Sequence, residues 1–176
     1  MAEHIEVLIS EEEVNERIAA LGKQISEDFA GKELLLICIL KGGTFFMCEL
    51  AKRITIPVSL DFMQVSSYGD GTKSSGVVRI AKDLDEAIEG KDVMIVEDII
   101  DSGRTLYYLM DILEKRHPNS IKLCTLLDKP DRRERDVKVQ YSGFEIPDEF
   151  VVGYGLDYAQ KYRNLPYIGV VKGIEE

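Results

Sequence analysis

The chain of 176 residues has few side chains that bind transition metals or form disulfide bonds, since it contains three cysteines and two histidines. Cys38, Cys48 and Cys124 lie in apolar stretches and lack the CxxC spacing. His4 and His117 have no second ligand at a spacing typical of metal sites. We therefore expect reduced, buried thiols and surface histidines, as in a cytosolic protein.

Long apolar and basic segments are also missing. No apolar run approaches the ~20 residues that a membrane span requires. Residues 1–4 are not a basic region followed by an apolar stretch, so we expect no signal peptide. The net charge of −10 argues against electrostatic binding to nucleic acid or to acidic membranes. We expect a cytoplasmic protein with neither partner, although a local positive site can still hold an anionic metabolite.

Two common nucleotide-binding motifs are absent as well. There is no GxxxxGK[ST] sequence, and Gly69-Asp70-Gly71 lacks a third glycine and lies in a predicted loop. These absences exclude a P-loop enzyme and a dinucleotide-binding enzyme.

Strands and helices alternate along the chain. Ser10 and Glu13 form a capping box before an apolar helical face, and residues 34–40 are an unbroken apolar run typical of a central parallel strand. Apolar runs predict further strands near 58–62, 77–80, 93–97, 121–127, 150–153 and 167–171, with a helix over 103–116. With 45% hydrophobic residues, no internal repeat and no linker, residues 1–176 are predicted to form one α/β domain with a mostly parallel sheet.

The most informative segment is residues 95–105, which read IVEDIIDSGRT. A buried strand runs into the carboxylates Glu97, Asp98 and Asp101, then into a Ser-Gly turn and a helix. Backbone N–H groups at a helix N-terminus favour anions, so residues 101–105 suit a phosphate. The carboxylates before the turn suit ribose hydroxyls, a metal ion or a developing positive charge. A phosphorylated sugar is the predicted ligand.

A purely structural interpretation of this segment remains open. Asp101 or Ser102 could be the N-cap of an ordinary helix. That interpretation explains one carboxylate and leaves Glu97 and Asp98 without a role at the end of a strand.

The segment resembles the phosphoribosyl-pyrophosphate (PRPP) signature of type I phosphoribosyltransferases, in particular the hypoxanthine-guanine phosphoribosyltransferases. Four further matches follow the family's order: residues 40–43 (LKGG), 67–68 (SY), 126–129 (LLDK) and 144–158 (FEIPDEFVVGYGLDY). The resemblance covers nearly the whole chain. It implies the type I fold, a twisted parallel sheet flanked by helices with a small hood built from the chain ends. It also implies transfer of the phosphoribosyl group to hypoxanthine or guanine, Mg²⁺ as cofactor, and a homodimer or homotetramer.

The resemblance also assigns roles to individual residues. It implies a cis Leu40–Lys41 peptide, Asp101 as the acid/base at purine N7, ribose hydroxyls on Glu97 and Asp98, and a lid over 66–76 that includes Ser67 and Tyr68. The implied phosphate and pyrophosphate contacts are Lys41, Gly42, Gly43, Asp101, Ser102, Gly103, Arg104, Thr105 and Arg163. The implied purine contacts are Lys129, Phe150, Val151 and Asp157, and the implied metal ligands are Asp157, Glu97 and Asp98.

Composition alone favours other interpretations of several of these residues. Phe150 would be a core residue, Lys129 a surface lysine within a solvated connection over 129–135, and Arg163 a solvent-facing residue of a short helix. The polar segment 66–76 would be a flexible surface loop.

A different functional class also fits the PRPP signature: a regulator on the same fold that senses PRPP without catalysis. The acidic net charge and the base-binding tract 150–157 disfavour it. Within the enzymes, orotate, adenine or xanthine transfer is possible, but Lys129 together with residues 150–157 most resembles the 6-oxopurine enzymes.

Overall fold

The computed structural model describes residues 3–67 and 77–173. Its strands, in chain order, are β1 (His4–Ile9), β2 (Leu34–Ile39), β3 (Val58–Ser67), β4 (Val78–Lys82), β5 (Asp92–Ile100), β6 (Ser120–Asp128), β7 (Tyr141–Glu145), β8 (Val151–Val152) and β9 (Ile168–Lys172). Its helices are α1 (Glu11–Asp28), α2 (Thr44–Arg53) and α3 (Arg104–Glu114), with one 3-10 turn at Pro130–Arg132.

The main sheet has six strands in the order β4-β3-β2-β5-β6-β7, and all neighbours are parallel except β4 with β3. The strand β2 is buried along its whole length. Its alternate residues enter two different cores: Leu34, Leu36 and Cys38 face one, while Leu35, Ile37 and Ile39 face the other. This confirms the predicted central strand and the predicted α/β sheet.

Helices cover both faces of the sheet. On one face, α1 begins with the predicted capping box, since Ser10 Oγ accepts from Glu13 N at 3.1 Å and Glu13 Oε1 accepts from Ser10 N at 3.2 Å. Its apolar side packs with α2 in the first core. On the other face, α3 contributes Leu106, Leu109 and Leu113 to the second core. No helix in the described ranges combines the length and apolarity needed to cross a membrane.

The two ends of the chain build a small second sheet, as the resemblance implies. Its order is β1-β9-β8, and both neighbouring pairs are antiparallel. We call this sheet the hood. The strand β8 and the residues that follow it lead back toward the carboxyl ends of the parallel strands, which is where ligands bind in open α/β sheets.

The first two residues of the predicted lid belong to a strand. Residues 66 and 67 belong to β3, where they pair with Arg79 and Val78 of β4. Tyr68 and residues 69–76 lie outside the described residues. Other boundaries differ from prediction by a few residues, and β1 and β7 are additional strands.

Candidate active site

Three parts of the chain meet at the carboxyl ends of the central strands, and two glycines let them meet. A Cβ atom on Gly42, in the turn after β2, would lie 1.9 Å from Oδ2 of Asp98 on β5. A Cβ atom on Gly155, after β8, would lie 2.0 Å from the carbonyl oxygen of Gly42. A side chain at position 42 would displace the Asp98 carboxyl, and a side chain at position 155 would displace the backbone of the Gly42 turn. The Leu40–Lys41 peptide in the same turn is cis, as the resemblance implies.

The turn between β5 and α3, residues 101–103, opens into a cleft. The helix begins after Gly103, which has φ +76° and no side-chain capping bond. Ser102 Oγ accepts from Arg104 N at 3.3 Å within the turn. The N-cap of α3 is therefore Gly103, and neither Asp101 nor Ser102 is the N-cap, although Ser102 Oγ does bond the first N–H of the helix. The cleft measures about 250 Å³ and is lined by Glu97 and residues 99–106.

Two neighbouring carboxyl groups lie near the carboxyl end of β5: Glu97 lines this cleft, and Asp98 lines a second one. Burial raises the pKa of Glu97 well above its ordinary value, and the adjacent Asp98 carboxylate raises it further. Burial also raises the pKa of Asp98, although its hydrogen bond with Glu97, the N–H of Ile99 and the charge of Arg163 oppose this. Ionisation of these carboxyl groups therefore lowers the stability of the folded state. A ligand that brings hydroxyl groups or positive charge would stabilise the ionised groups.

The raised pKa predicts a stabilising substitution. We expect Glu97→Gln to raise the free energy of unfolding near neutral pH by about 0.5–2 kcal/mol, because the amide cannot ionise. In the wild type, Glu97 stays protonated in the folded state above the ordinary glutamate pKa of 4.5, whereas in the unfolded state it ionises there. The free energy of unfolding of the wild type should therefore fall as pH rises from 4.5 through the raised pKa of Glu97.

Urea unfolding at several pH values measures this effect. The fall in stability with rising pH should be smaller in Glu97→Gln than in the wild type. Glu16→Gln, at an exposed position of α1, is the matched control and should keep the wild-type slope. A Glu97→Gln protein less stable than the wild type at every pH would show that the carboxyl group supports the fold.

A second cleft of about 320 Å³ adjoins the first and shares Ile99 and Asp101 with it. Phe150 and Lys129 are two of its lining residues. Phe150 is 50% exposed and packs edge-on against Tyr158, with ring centroids 5.5 Å apart. Lys129 is 8% exposed. Composition alone therefore misplaces both residues, because Phe150 is not in the core and Lys129 is not on the surface. The other lining residues are Asp98, Arg132, Val151, Leu156 and Asp157.

Asp101 stands at the junction of the two clefts. Its Oδ1 atom is buried and accepts no hydrogen bond from the part of the chain that the structure describes. Lys129 Nζ lies 4.0 Å from this atom and 3.8 Å from Asp148 Oδ1, beyond hydrogen-bonding distance in both cases. Buried polar atoms are nearly always hydrogen-bonded, so this carboxyl oxygen is placed to take a proton or a donor from a ligand.

Arg163 is hydrogen-bonded to the turn at Gly155 and does not lie on a helix. Its Nη1 donates to the carbonyl of Gly155 at 2.6 Å, and its Nη2 lies 3.1 Å from Asp157 Oδ1. Gln160 Oε1 accepts from Arg163 Nη2 at 3.2 Å and from Lys41 Nζ at 3.5 Å. The alternative interpretation of Arg163 as a solvent-facing residue of a short helix is therefore wrong, and two cations lie beside the Gly42 turn.

The predicted metal ligands do not form a closed protein site. Across residues 3–67 and 77–173 no group of three or more His, Cys, Asp or Glu side chains could hold a metal ion. Asp157 instead pairs with Arg163. Mg²⁺ is usually bound by one or two carboxylates together with substrate phosphates. The adjacent carboxyls of Glu97 and Asp98, with their raised pKa values, fit an ion that arrives with its substrate.

The predicted solvated connection over 129–135 is exposed over most of its length, but Arg133 and the backbone of 134–135 also contact the 101–103 turn. Arg133 pairs with Asp128 and donates from Nε to the carbonyl of Asp101 at 3.2 Å. Neither residue was predicted to belong to the site, although Asp128 lies in the LLDK match. Asp128 could have been found, because it lies near the carboxyl end of a buried strand as Glu97 and Asp98 do. Arg133 gave no signal, because it lies in a run of six charged residues, 131–136.

Comparisons with known proteins show the family and the fold. The family model for the phosphoribosyl transferase domain matches residues 9–159. The chain is 54% identical over 178 aligned residues to the hypoxanthine phosphoribosyltransferase of Salmonella typhimurium, and 100% of each chain is covered. A crystal structure of a hypoxanthine phosphoribosyltransferase from Staphylococcus aureus matches with a TM-score of 0.93 and 53% identity, covering 95% of this chain and 91% of that one.

Some relatives are longer. The chain is 55% identical over 166 residues to the bifunctional protein TilS/HprT of Listeria monocytogenes, which covers 94% of this chain but only 26% of that protein. The chain thus spans about a quarter of the length of these relatives. From the domain match and the relatives that align in full, the chain belongs to the phosphoribosyltransferase family, among the bacterial hypoxanthine-guanine phosphoribosyltransferases.

Proposed function

We propose that the protein transfers the 5-phosphoribosyl group of PRPP to hypoxanthine, and also to guanine, giving IMP or GMP and pyrophosphate in purine salvage. The observation that carries the proposal is the pair of adjoining clefts that share Ile99 and Asp101. One cleft lies at a helix N-terminus, and the other has an aromatic ring and a lysine. A sugar phosphate in the first would present its C1 atom to a base in the second.

The turns at the carboxyl ends of β2 and β5 bind different phosphate groups of PRPP. Residues 101–105 hold the 5′-phosphate at the N-terminus of α3, where backbone N–H groups and the helix dipole favour an anion. The turn 41–43 and Arg163 hold the pyrophosphate. Arginine suits this role because its planar fork matches phosphate oxygens.

The carboxyl groups of Glu97 and Asp98 accept hydrogen bonds from the ribose 2′ and 3′ hydroxyls. The bond between C1 and the pyrophosphate oxygen breaks while the bond from purine N9 forms, so positive charge develops on the sugar. Fixed carboxylates beneath the ring stabilise that charge. The charge of the leaving pyrophosphate would be neutralised by Mg²⁺, for which Glu97, Asp98 and Asp157 are the candidate ligands together with substrate oxygens.

The second cleft orients the base. The half-exposed ring of Phe150 stacks on the purine, the backbone of Val151 and the side chain of Asp157 lie at its edge, and Lys129 Nζ donates to the 6-oxo group. Asp101 takes the N7 proton as N9 attacks, and its buried Oδ1 atom is the acceptor. A lid formed by residues 66–76, with Ser67 and Tyr68, excludes water that would hydrolyse the activated sugar.

Lys129 should distinguish the base from PRPP. We expect Lys129→Ala to raise KM for hypoxanthine and guanine about tenfold or more, since a hydrogen bond from a charged donor is worth ~1.5–3 kcal/mol. PRPP binding without a base should barely change, because the lysine is outside the phosphate turns. Lys115→Ala is the control, because it removes the same charge from an exposed lysine. Equal losses for base and PRPP would mean that Lys129 supports the site or binds pyrophosphate.

An assay of the purified protein with PRPP, Mg²⁺ and hypoxanthine tests the proposed function. IMP and pyrophosphate should form in equal amounts, and guanine should give GMP. If neither base yields product while PRPP still binds, the protein is a regulator that senses PRPP and not an enzyme.

We further propose a homodimer or homotetramer that folds as one domain and works in the cytoplasm. Phe45 and Leu60 are exposed apolar side chains that a second copy could cover. A related structure from Trypanosoma cruzi, 40% identical with a TM-score of 0.90, concerns the role of its C-terminal region in oligomeric state and activity. All three cysteines are free, but only Cys38 and Cys124 are buried as predicted, and Cys48 is exposed. Light scattering after size exclusion measures the oligomeric state.

A further inference from the structure

Arg133 joins the end of a core strand to the 101–103 turn. Its guanidinium pairs with the carboxylate of Asp128, the last residue of β6, and its Nε donates to the carbonyl of Asp101 at 3.2 Å. The side chains of Asp128 and Arg133 are only 11% and 21% exposed. A Cβ atom on Gly103 would lie 3.1 Å from Arg133 Cδ, so the arginine stem also packs against the turn. A shielded, charge-assisted contact of this kind has one fixed geometry.

The backbone beside Arg133 holds the next peptide of the turn. The carbonyl of Ser102 accepts from the N–H of Glu134 at 2.9 Å and from the N–H of Arg135 at 3.1 Å. The carbonyls of Asp101 and Ser102 thus both face the segment 133–135. In a planar trans peptide the N–H that follows a carbonyl points the opposite way. The N–H groups of Ser102 and Gly103 therefore point away from this segment.

We propose that Arg133 and Asp128 are a positioning pair, which orients the Asp101–Gly103 peptides so that their N–H groups face the 5′-phosphate of the substrate. The inference rests on the proposed function and deepens it, since the pair acts through the turn and does not itself bind substrate. The anchor is rigid: Asp128 is paired with Ile100 across β5 and β6, and its carbonyl accepts from Ile146 N at 2.9 Å. An arginine suits this role better than a lysine, because a lysine has no planar fork of donors to hold the carboxylate and the carbonyl in one geometry.

Binding of IMP and of inosine, which lacks the phosphate, separates this role from general support of the fold. We expect Arg133→Met to weaken IMP binding about 10- to 100-fold and to change inosine binding little, because only the phosphate site loses its orientation. In steady-state assays KM for PRPP should rise by a similar factor, with KM for hypoxanthine nearly unchanged. Arg133→Lys should recover part of the loss, and Asp128→Asn should show the same selectivity as Arg133→Met.

The control removes a comparable ion pair outside the clefts. Arg116 bonds Asp83 through two nitrogens at 2.7 and 2.9 Å, and Arg116→Met should leave IMP and inosine binding as in the wild type. Equal losses of IMP and inosine binding, or no loss of either, would overturn the positioning role. Should Arg133→Met fail to fold, the same comparison on Arg133→Lys and Asp128→Asn decides. Absence of IMP formation by the wild type would instead contradict the proposed function, since the binding comparison needs no turnover.

Discussion

Asp101→Asn should lower kcat for IMP formation by about 10²–10⁴-fold, the range typical of a lost general acid or base. Asparagine keeps the shape of the side chain but cannot accept the N7 proton at this position. The affinity for PRPP should fall far less, because the neighbouring backbone N–H groups of the turn remain. The buried Oδ1 of Asp101, which accepts no hydrogen bond from the described residues, is the structural basis for this expectation.

Single-turnover kinetics with saturating substrates, together with calorimetric titration of PRPP, measure the two effects separately. Asp111→Asn is a suitable control, because this aspartate lies on the exposed side of α3 and pairs with Lys115. If kcat were unchanged and PRPP affinity collapsed, Asp101 would be a binding residue and the proton would move by another route.

Gly155→Ala should abolish most of the activity by a steric route. The new Cβ atom would lie 2.0 Å from the carbonyl oxygen of Gly42, and a backbone atom cannot move without shifting the whole turn. A displacement near 1 Å in a positioned site can cost about 10²-fold in rate. We expect kcat/KM for PRPP to fall by that order, with KM for hypoxanthine changed less.

A second glycine separates the steric effect from the backbone effect. Gly155 has φ +100° and Gly31 has φ +79°, so an alanine at either position incurs the left-handed penalty of ~1–2 kcal/mol. A Cβ atom on Gly31 meets no heavy atom within 4 Å. Gly31→Ala should therefore lose stability and keep full activity. Equal activity in the two variants would show that the contact between Gly155 and Gly42 is not needed for the site.

Much of the fold could be predicted because local pattern and tertiary environment agree. The unbroken apolar run 34–40 predicts a strand buried on both faces, and β2 does supply both cores. The capping box at Ser10 marks the start of α1 because its two hydrogen bonds are local. Such elements need no knowledge of distant residues.

The elements that were missed or shortened depend on distant partners. The strand β1 is largely exposed and is defined by its pairing with β9 at the other end of the chain. The polar end of β3 is a strand because β4 pairs with it through residue 67. The strand β7 contains a Ser-Gly pair, which locally favours a turn, yet it adds to the sheet beside β6.

Some residues of the candidate site could be predicted from the sequence and others could not, for the same reason. Residues 97–105 could be identified from sequence because one short segment carries the carboxylates, the turn and the helix start. The contact of Arg133 with Asp101 and the packing of Gly155 on Gly42 could not, because each joins segments more than 30 residues apart along the chain. Resemblance supplied the roles of Lys129 and Phe150, which composition alone places wrongly.

A crystal structure of the complex with IMP will show whether one ligand spans the two clefts joined at Ile99 and Asp101. We expect the phosphate within hydrogen-bonding distance of the N–H groups of residues 102–105 and the ribose hydroxyls on Glu97 and Asp98. We also expect the base against Phe150, with its 6-oxo group facing Lys129 Nζ. A phosphate bound elsewhere, or a base outside the second cleft, would show that the two clefts do not form one substrate site.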